Sequence, residues 1–139
     1  NSSHIGIANE IIINESGIDN TIKKKKEKNF NSPAFNFDEV KTLPNNAICL
    51  ASNKINKVQS LYFKINETKV WGLQYHPEIT YEKMISLIKF RKDRLIKNRK
   101  VFKDEQDVDS HISFIEKEIL IANKEKRMVE LKNWIDLLN

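Results

Sequence analysis

Residues 70–78 read Val70-Trp71-Gly72-Leu73-Gln74-Tyr75-His76-Pro77-Glu78, an apolar run that ends in an imidazole and a carboxylate. The run from Val70 to Tyr75 is short and rich in β-branched and aromatic residues, which is typical of a buried strand. Gly72 inside the run indicates that another group packs closely against the backbone there. Proline disfavours a helical conformation at the preceding residue, so we expect His76 to leave the sheet in an extended conformation.

His76 and Glu78 are the candidate site residues. In an extended chain, residues two apart point to the same side, with Cα atoms roughly 6.5 to 7 Å apart. A carboxylate beside an imidazole fixes its tautomer and stabilises the imidazolium, which a general base requires. The alternative is a surface ion pair or an ordinary hydrogen bond. The position at the C-terminal end of a strand, where α/β proteins place their sites, favours catalysis.

Residues 72–78 resemble the G-(apolar)-Q-(aromatic)-H-P-E signature of the class I, or triad-type, glutamine amidotransferases. Residues 43–47, 50–53 and 58–59 are similar to the segment that leads to this signature, and residues 131–135 to the end of the stand-alone amidotransferase-like branch. The resemblance implies an α/β fold: part of a flavodoxin-like sheet with an antiparallel hairpin, followed by C-terminal helices. It also implies that His76 and Glu78 belong to a Cys-His-Glu triad.

The triad nucleophile is missing from this interpretation. The single cysteine, Cys49, has no glycine nearby to permit a sharp nucleophile turn, so we interpret it as an inert apolar side chain in a strand. In the family, the cysteine lies upstream, in the N-terminal half of the domain. We therefore expect residues 1–100 to be the C-terminal half of an amidotransferase-like domain and residues 101–139 a C-terminal helical extension packing on it. The alternative is a short, degenerate relative that never had the cysteine.

By resemblance, the function is that of a glutamine amidotransferase, in which glutamine amide hydrolysis supplies ammonia to an unknown acceptor. This chain would supply His76 and Glu78 and would be inactive alone. The expected partners are glutamine or a γ-glutamyl small molecule and the missing N-terminal half. A γ-glutamyl hydrolase and a non-catalytic interaction module of the same ancestry are the alternatives. No cofactor is expected, and His4, His76 and His111 lack metal-ligand spacing.

Composition and charge limit the other classes of function. A chain of 139 residues suits one domain, and the net charge of +5 invites a nucleic-acid hypothesis. The excess of positive charge lies in residues 23–28 and 89–100, and the first cluster lacks the interleaved aromatics that stack on bases. We therefore do not expect a nucleic-acid partner. Neither a leader nor a membrane span is recognised, and one cysteine suits a reducing compartment, so we expect a cytoplasmic protein without membrane contact.

The remaining pattern predicts several elements around the site. The predicted strands are Gly6–Ile13, Ala47–Ser52 and Val58–Ile65, the last forming a hairpin with Val70–Tyr75 across residues 66–69. Residues 19–32 are expected to be a mobile loop. Thr80 caps a helix whose apolar stripe runs to Leu95, and Asp104 begins a second stripe through Ala122 that resumes over residues 128–138, as a helical hairpin or one long helix. His111 is placed on a solvated face.

Overall fold

The computed structural model describes residues 3–139; Asn1 and Ser2, on which the expected absence of a leader partly rests, lie outside the described residues. The strands are β1 (His4–Ile5), β2 (Ala8–Ile13), β3 (Asn29–Ser32), β4 (Phe35–Asn36), β5 (Ile48–Ser52), β6 (Ser60–Ile65) and β7 (Thr68–Leu73). The α-helices are α1 (Glu15–Ile18), α2 (Tyr81–Phe90), α3 (Glu105–Ile121), α4 (Lys124–Arg127) and α5 (Val129–Asp136). A 3₁₀ turn covers Thr21–Lys23 and a π-helical turn covers Arg94–Asn98.

Five strands form one sheet in the order β3-β2-β5-β6-β7, and each neighbouring pair is antiparallel. The short strands β1 and β4 pair separately. Together with the helices that follow, the sheet gives a mixed α/β chain consistent with a flavodoxin-like fold. The predicted fold class, including the antiparallel hairpin and the C-terminal helices, is confirmed.

The hairpin that leads to the candidate site is tighter than predicted. Strands β6 and β7 pair from Ser60 opposite Leu73 to Ile65 opposite Thr68, so the loop is only two residues long. Asn66 takes the positive φ of 52° that such a turn requires. Gly72 lies opposite Leu61, whose side chain would approach an added Cβ to 3.2 Å. The close approach predicted at Gly72 is therefore confirmed.

Helices α2 and α3 share one apolar core. The Thr80 side chain accepts a hydrogen bond from the Lys83 backbone N–H at 3.2 Å, which caps α2 as predicted. Side chains of both helices pack together with residues from β1 and from the π-helical turn: Ile5, Ile85, Ile88, Leu95, Val108, Ile112 and Ile115. Because this core joins the start of the chain to both helices, it fixes the position of α2, the helix that follows the His-Pro-Glu segment.

The C-terminal stripe forms neither of the predicted arrangements. Helix α3 ends where Ala122 adopts an extended conformation, and the Asn123 side chain then caps α4 by accepting from the Lys126 backbone N–H. One long helix is therefore wrong. A hairpin in which α5 returns along α3 is also wrong, because α5 packs against the 3₁₀ turn Thr21–Lys23.

The segment predicted to be a mobile loop, residues 19–32, is ordered and partly buried. It contains the 3₁₀ turn and strand β3, which pairs with β2. The Asn20 side chain caps the turn by accepting from the Ile22 N–H at 3.2 Å. Lys23 is only 3% exposed, so the cluster of lysines is not simply a solvated face. The polar composition gave no indication of this ordered structure, because the buried charge of Lys23 is neutralised by a residue that is distant in sequence.

Candidate functional site

A tight turn carries His76 and Glu78. Strand β7 ends at Leu73, three residues before His76, so the expected extension of the strand through Tyr75 is wrong. The Ile79 N–H donates to the His76 carbonyl at 3.2 Å, which closes a turn with Pro77 at its second position, where proline is favoured. The turn, rather than the alternation of a strand, brings the two side chains to one side.

The imidazole of His76 and the carboxylate of Glu78 are in direct contact. His76 Nδ1 lies 2.7 Å from Glu78 Oε1, the distance of a short charge-assisted hydrogen bond. With Nδ1–H donating to the carboxylate, the neutral ring has its lone pair on Nε2, which can accept a proton. The two side chains are 41% and 51% exposed, so Nε2 can be reached by a reactant from outside. The structure thus brings together the two residues that the sequence selected.

Two hydrogen bonds hold the turn against the rest of the molecule. The His76 backbone N–H donates to the Pro33 carbonyl at 2.7 Å, and Arg127 Nε donates to the Pro77 carbonyl at 2.8 Å. Pro33 follows β3, and Arg127 ends α4. The position of the dyad therefore depends on segments more than 40 residues before it and 50 residues after it.

Tyr75, the residue that precedes the dyad, is anchored in a buried polar cluster. The side chain is 1% exposed and packs edge-to-face on Phe30, with ring centroids 5.5 Å apart. Its hydroxyl donates to Glu130 Oε1 at 2.7 Å and accepts from the Lys23 ammonium. Burial, followed by the nearby Glu130 carboxylate, raises the Tyr75 pKa well above its ordinary value, so the hydroxyl keeps its proton.

Glu130 is the centre of this cluster and is fully buried. Lys23 Nζ lies 3.2 Å from Oε1, and Lys26 Nζ lies 3.0 Å from Oε2. Burial alone would raise the pKa of the carboxyl, but the two ammonium groups and the Tyr75 hydroxyl outweigh it and hold the Glu130 pKa below its ordinary value. We refer to Lys23, Lys26, Tyr75 and Glu130 as the buried cluster.

The sequence reasoning missed the buried cluster. Lys23 and Lys26 look like members of a solvated lysine run, and Glu130 follows them by more than 100 residues. A weak signal was present: Glu130 lies two residues after Met128 and one before Leu131, on a stripe interpreted as apolar. Its interruption by a carboxylate could have indicated a buried ion pair, although not its partner.

Cys49 is placed as the sequence predicted, in strand β5. Its Sγ lies 3.4 Å from the Ala51 carbonyl and 3.5 Å from the Lys57 carbonyl, and burial raises the pKa of the thiol. A raised pKa disfavours the thiolate, which is the nucleophilic form. These contacts are those of a structural cysteine.

The other two histidines are in protein contacts of their own. His4 is 2% exposed, accepts from Gln59 Nε2 at 2.7 Å, and has its pKa lowered by burial. His111 is half-buried, with Nε2 donating to the Ile5 carbonyl at 2.5 Å and the ring tilted against Phe102, with centroids 5.2 Å apart. Its predicted position on a solvated face is therefore wrong, because α3 packs that side against β1.

Three comparisons with known proteins bear on the site. No protein-family model matches the chain. Over 47 residues, or 34% of this chain, the sequence is 40% identical to a γ-glutamyl-L-1-hydroxyisopropylamide hydrolase from a Pseudomonas species. That stretch covers 16% of the hydrolase. The solved structure titled "Crystal structure of SMU.1228c" superposes with a TM-score of 0.65 over 98% of this chain, at 16% identity.

The two matches carry different information. The solved structure is too distant in sequence to show more than the fold, and the chain spans 52% of its length. The hydrolase match is local, and the chain spans a small part of that protein. The chain is therefore similar in fold to one solved structure and, in one stretch of 47 residues, similar in sequence to one γ-glutamyl amide hydrolase.

Proposed function

We propose that this chain is the C-terminal part of an amidotransferase-like enzyme that hydrolyses a γ-glutamyl amide bond. The observation that carries the proposal is the 2.7 Å contact between His76 Nδ1 and Glu78 Oε1 on an accessible turn, within the segment that resembles the family signature. The name of the similar Pseudomonas hydrolase supports hydrolysis, rather than transfer of ammonia, as the reaction.

In the proposed reaction, a cysteine thiolate contributed by residues outside this chain attacks the γ-carbonyl carbon of the substrate. His76 takes the thiol proton through Nε2 and delivers it to the departing amine, leaving a γ-glutamyl thioester. His76 next removes a proton from water, which attacks the thioester and releases glutamate and the thiol. Glu78 holds the Nδ1–H throughout and stabilises the imidazolium between these steps.

The substrate class follows from the same resemblance. A γ-glutamyl group bonded to a small amine is the substrate named for the similar hydrolase, and glutamine is the smallest such amide. We infer that the reaction centre is shared and that the amine side of the substrate is recognised by residues still to be identified. Glutamine and a larger γ-glutamyl amide are therefore both substrates to test.

The proposal also assigns roles to the two parts of the chain. Residues 1–100 would form the C-terminal half of the domain, and residues 101–139 would be a helical extension packed on it. Large apolar side chains remain at the surface, including Phe90 at 86% and Leu120 at 85% exposure. Contiguous apolar surface commonly marks a contact with another protein part, and we expect a segment outside this chain to cover these side chains.

The test uses the protein that carries this chain at its full natural length and a glutamine analogue with an electrophilic carbon in place of the amide. We expect one covalent label on a cysteine outside these 139 residues, and no label after His76→Asn. The matched carboxylate control is Glu82→Gln, because Glu82 lies in the first turn of α2 and is exposed. Label on Cys49, or labelling that is independent of His76, would refute the proposed triad.

A further inference from the structure

A cleft of about 260 Å³ lies between strand β3 and the junction of α3 with α4. It is separate from the exposed side chains of His76 and Glu78, which do not line it. Phe30 and Ile121 give it an apolar wall, and Tyr81, Glu118 and Arg127 give it polar groups. The volume is below that of sites for drug-sized ligands, so its ligand must be smaller.

The Tyr81 hydroxyl at this cleft lacks a partner. The residue is 3% exposed, and its hydroxyl makes no hydrogen bond to any described residue. Burial, followed by the Glu118 carboxylate, raises the pKa of Tyr81, whereas Arg127 acts in the opposite direction. The hydroxyl therefore keeps its proton, and both charged neighbours act on it. A buried donor without an acceptor is costly and commonly indicates a missing partner.

Two opposite charges that line the cleft are also unused. Arg127 donates from Nε to the Pro77 carbonyl, but its terminal nitrogens form no hydrogen bond or ion pair with residues 3–139, and neither does the Glu118 carboxylate. The two side chains do not form an ion pair with each other. The other charged side chains that line the cleft already have partners: Lys26 pairs with Glu130, and Lys126 pairs with Glu27. Among the lining residues, one cation, one anion and one buried hydroxyl donor thus have hydrogen-bonding capacity that residues 3–139 do not satisfy.

We propose that this cleft binds a small zwitterion, an α-amino acid with an apolar side chain. Its carboxylate is bound by Arg127 and the Tyr81 hydroxyl, its ammonium by Glu118, and its side chain by Phe30 and Ile121. Both charges of the ligand then replace lost hydration with charge-assisted hydrogen bonds. This site goes beyond the proposed hydrolase function and does not rest on it, although Arg127 also contacts the turn that carries His76.

The experiment is isothermal titration calorimetry of L-leucine into the protein at its full natural length. Two matched probes each lack one charge: 4-methylpentanoate has no ammonium, and 3-methylbutylamine has no carboxylate. We expect saturable binding of leucine and at least about tenfold weaker binding of either probe, since each loses a hydrogen bond to a charged group. Because leucine is not a γ-glutamyl amide, failure here is distinguishable from failure of the proposed hydrolase.

The variants assign the site to the cleft. Tyr81→Phe and Glu118→Gln should each weaken leucine binding about tenfold or more, whereas Tyr62→Phe, a tyrosine of strand β6 outside the cleft, should leave it unchanged. Circular dichroism of each variant verifies that the fold is retained. Absence of saturable leucine binding, equal binding of leucine and the two probes, or unchanged affinity in Tyr81→Phe would each overturn the proposal.

Discussion

Removing the charge of Glu130 is expected to destabilise the protein severely. The Glu130 carboxylate is fully buried and contacts Lys23, Lys26 and the Tyr75 hydroxyl. In Glu130→Gln, the buried ammonium groups of Lys23 and Lys26 both lose their counter-charge while remaining out of water. Breaking a buried pair in this way costs about 3–5 kcal/mol. A domain of this size has a free energy of unfolding of roughly 5–15 kcal/mol, so the loss is a large fraction of the total.

Urea denaturation followed by circular dichroism measures this loss. For an m-value of about 2 kcal/mol/M, the midpoint should fall by roughly 1.5–2.5 M. The control is Glu125→Gln, which removes an exposed ion pair with Lys132 and should not change the midpoint measurably. The double variant Lys23→Met/Glu130→Gln should be more stable than Glu130→Gln alone, because it no longer buries the unpaired Lys23 charge. A loss below about 1 kcal/mol in Glu130→Gln, or no recovery in the double variant, would refute the reasoning.

Three further predictions concern stability. Because the Glu130 pKa is lowered in the folded state, ionised Glu130 contributes stability that is present above its ordinary pKa of 4.5 and is lost as the pH falls through the folded-state value. The acid unfolding of Glu130→Gln should lack this loss of stability, and an identical acid transition in both proteins would contradict the prediction. Tyr81→Phe removes a buried hydroxyl without a partner and should raise the free energy of unfolding by about 1 kcal/mol in urea denaturation, whereas a loss of that size would show that the hydroxyl is satisfied. Gly6→Ala should cost at least about 2 kcal/mol, since Gly6 has a φ of 88° and an added Cβ would lie 2.6 Å from Ile115 Cδ1; a wild-type melting temperature would show that the core yields there.

The strands were predictable because each is an apolar run bounded by turn residues. Strands β5, β6 and β7 each begin within two residues of their predicted starts. The strand predicted from Gly6 to Ile13 begins only at Ala8, because the positive φ of Gly6 separates β2 from the short strand β1 that precedes it. Apolar periodicity indicates which side chains are buried. A change of backbone direction at one glycine leaves that periodicity unaltered, so the periodicity could not predict it.

The arrangement of the C-terminal helices could not be predicted from their stripe. Periodicity shows that residues 128–138 have an apolar face, but the partner of that face is set by the contact between Glu130 and Lys23, which are 107 residues apart. The same long-range pair explains why residues 19–32 were interpreted as a loop. A charged residue is interpreted from sequence as solvent-exposed unless the residue that pairs with it is known.

The candidate dyad could be selected from the sequence, although for a partly incorrect geometric reason. The spacing of His76 and Glu78 suggested neighbours on one face of an extended chain, whereas the turn closed from Ile79 to His76 brings them together. The supports of the turn, Pro33 and Arg127, were not predictable because their contacts are made by backbone carbonyls and one distant side chain. Sequence spacing identified the candidate pair but not the contacts that hold it in place.

No helix among residues 3–139 is both long enough and apolar enough to cross a bilayer.

The most direct test of the proposed function is the kcat/KM of the protein at its full natural length for hydrolysis of a γ-glutamyl anilide, compared with that of His76→Asn. If His76 moves the proton at Nε2, the variant should lose at least about a hundredfold in kcat/KM while retaining its fold. Glu78→Gln should also lose activity, since its amide cannot stabilise the imidazolium, whereas Glu82→Gln should not. Undiminished kcat/KM in His76→Asn would contradict the central role given to this histidine.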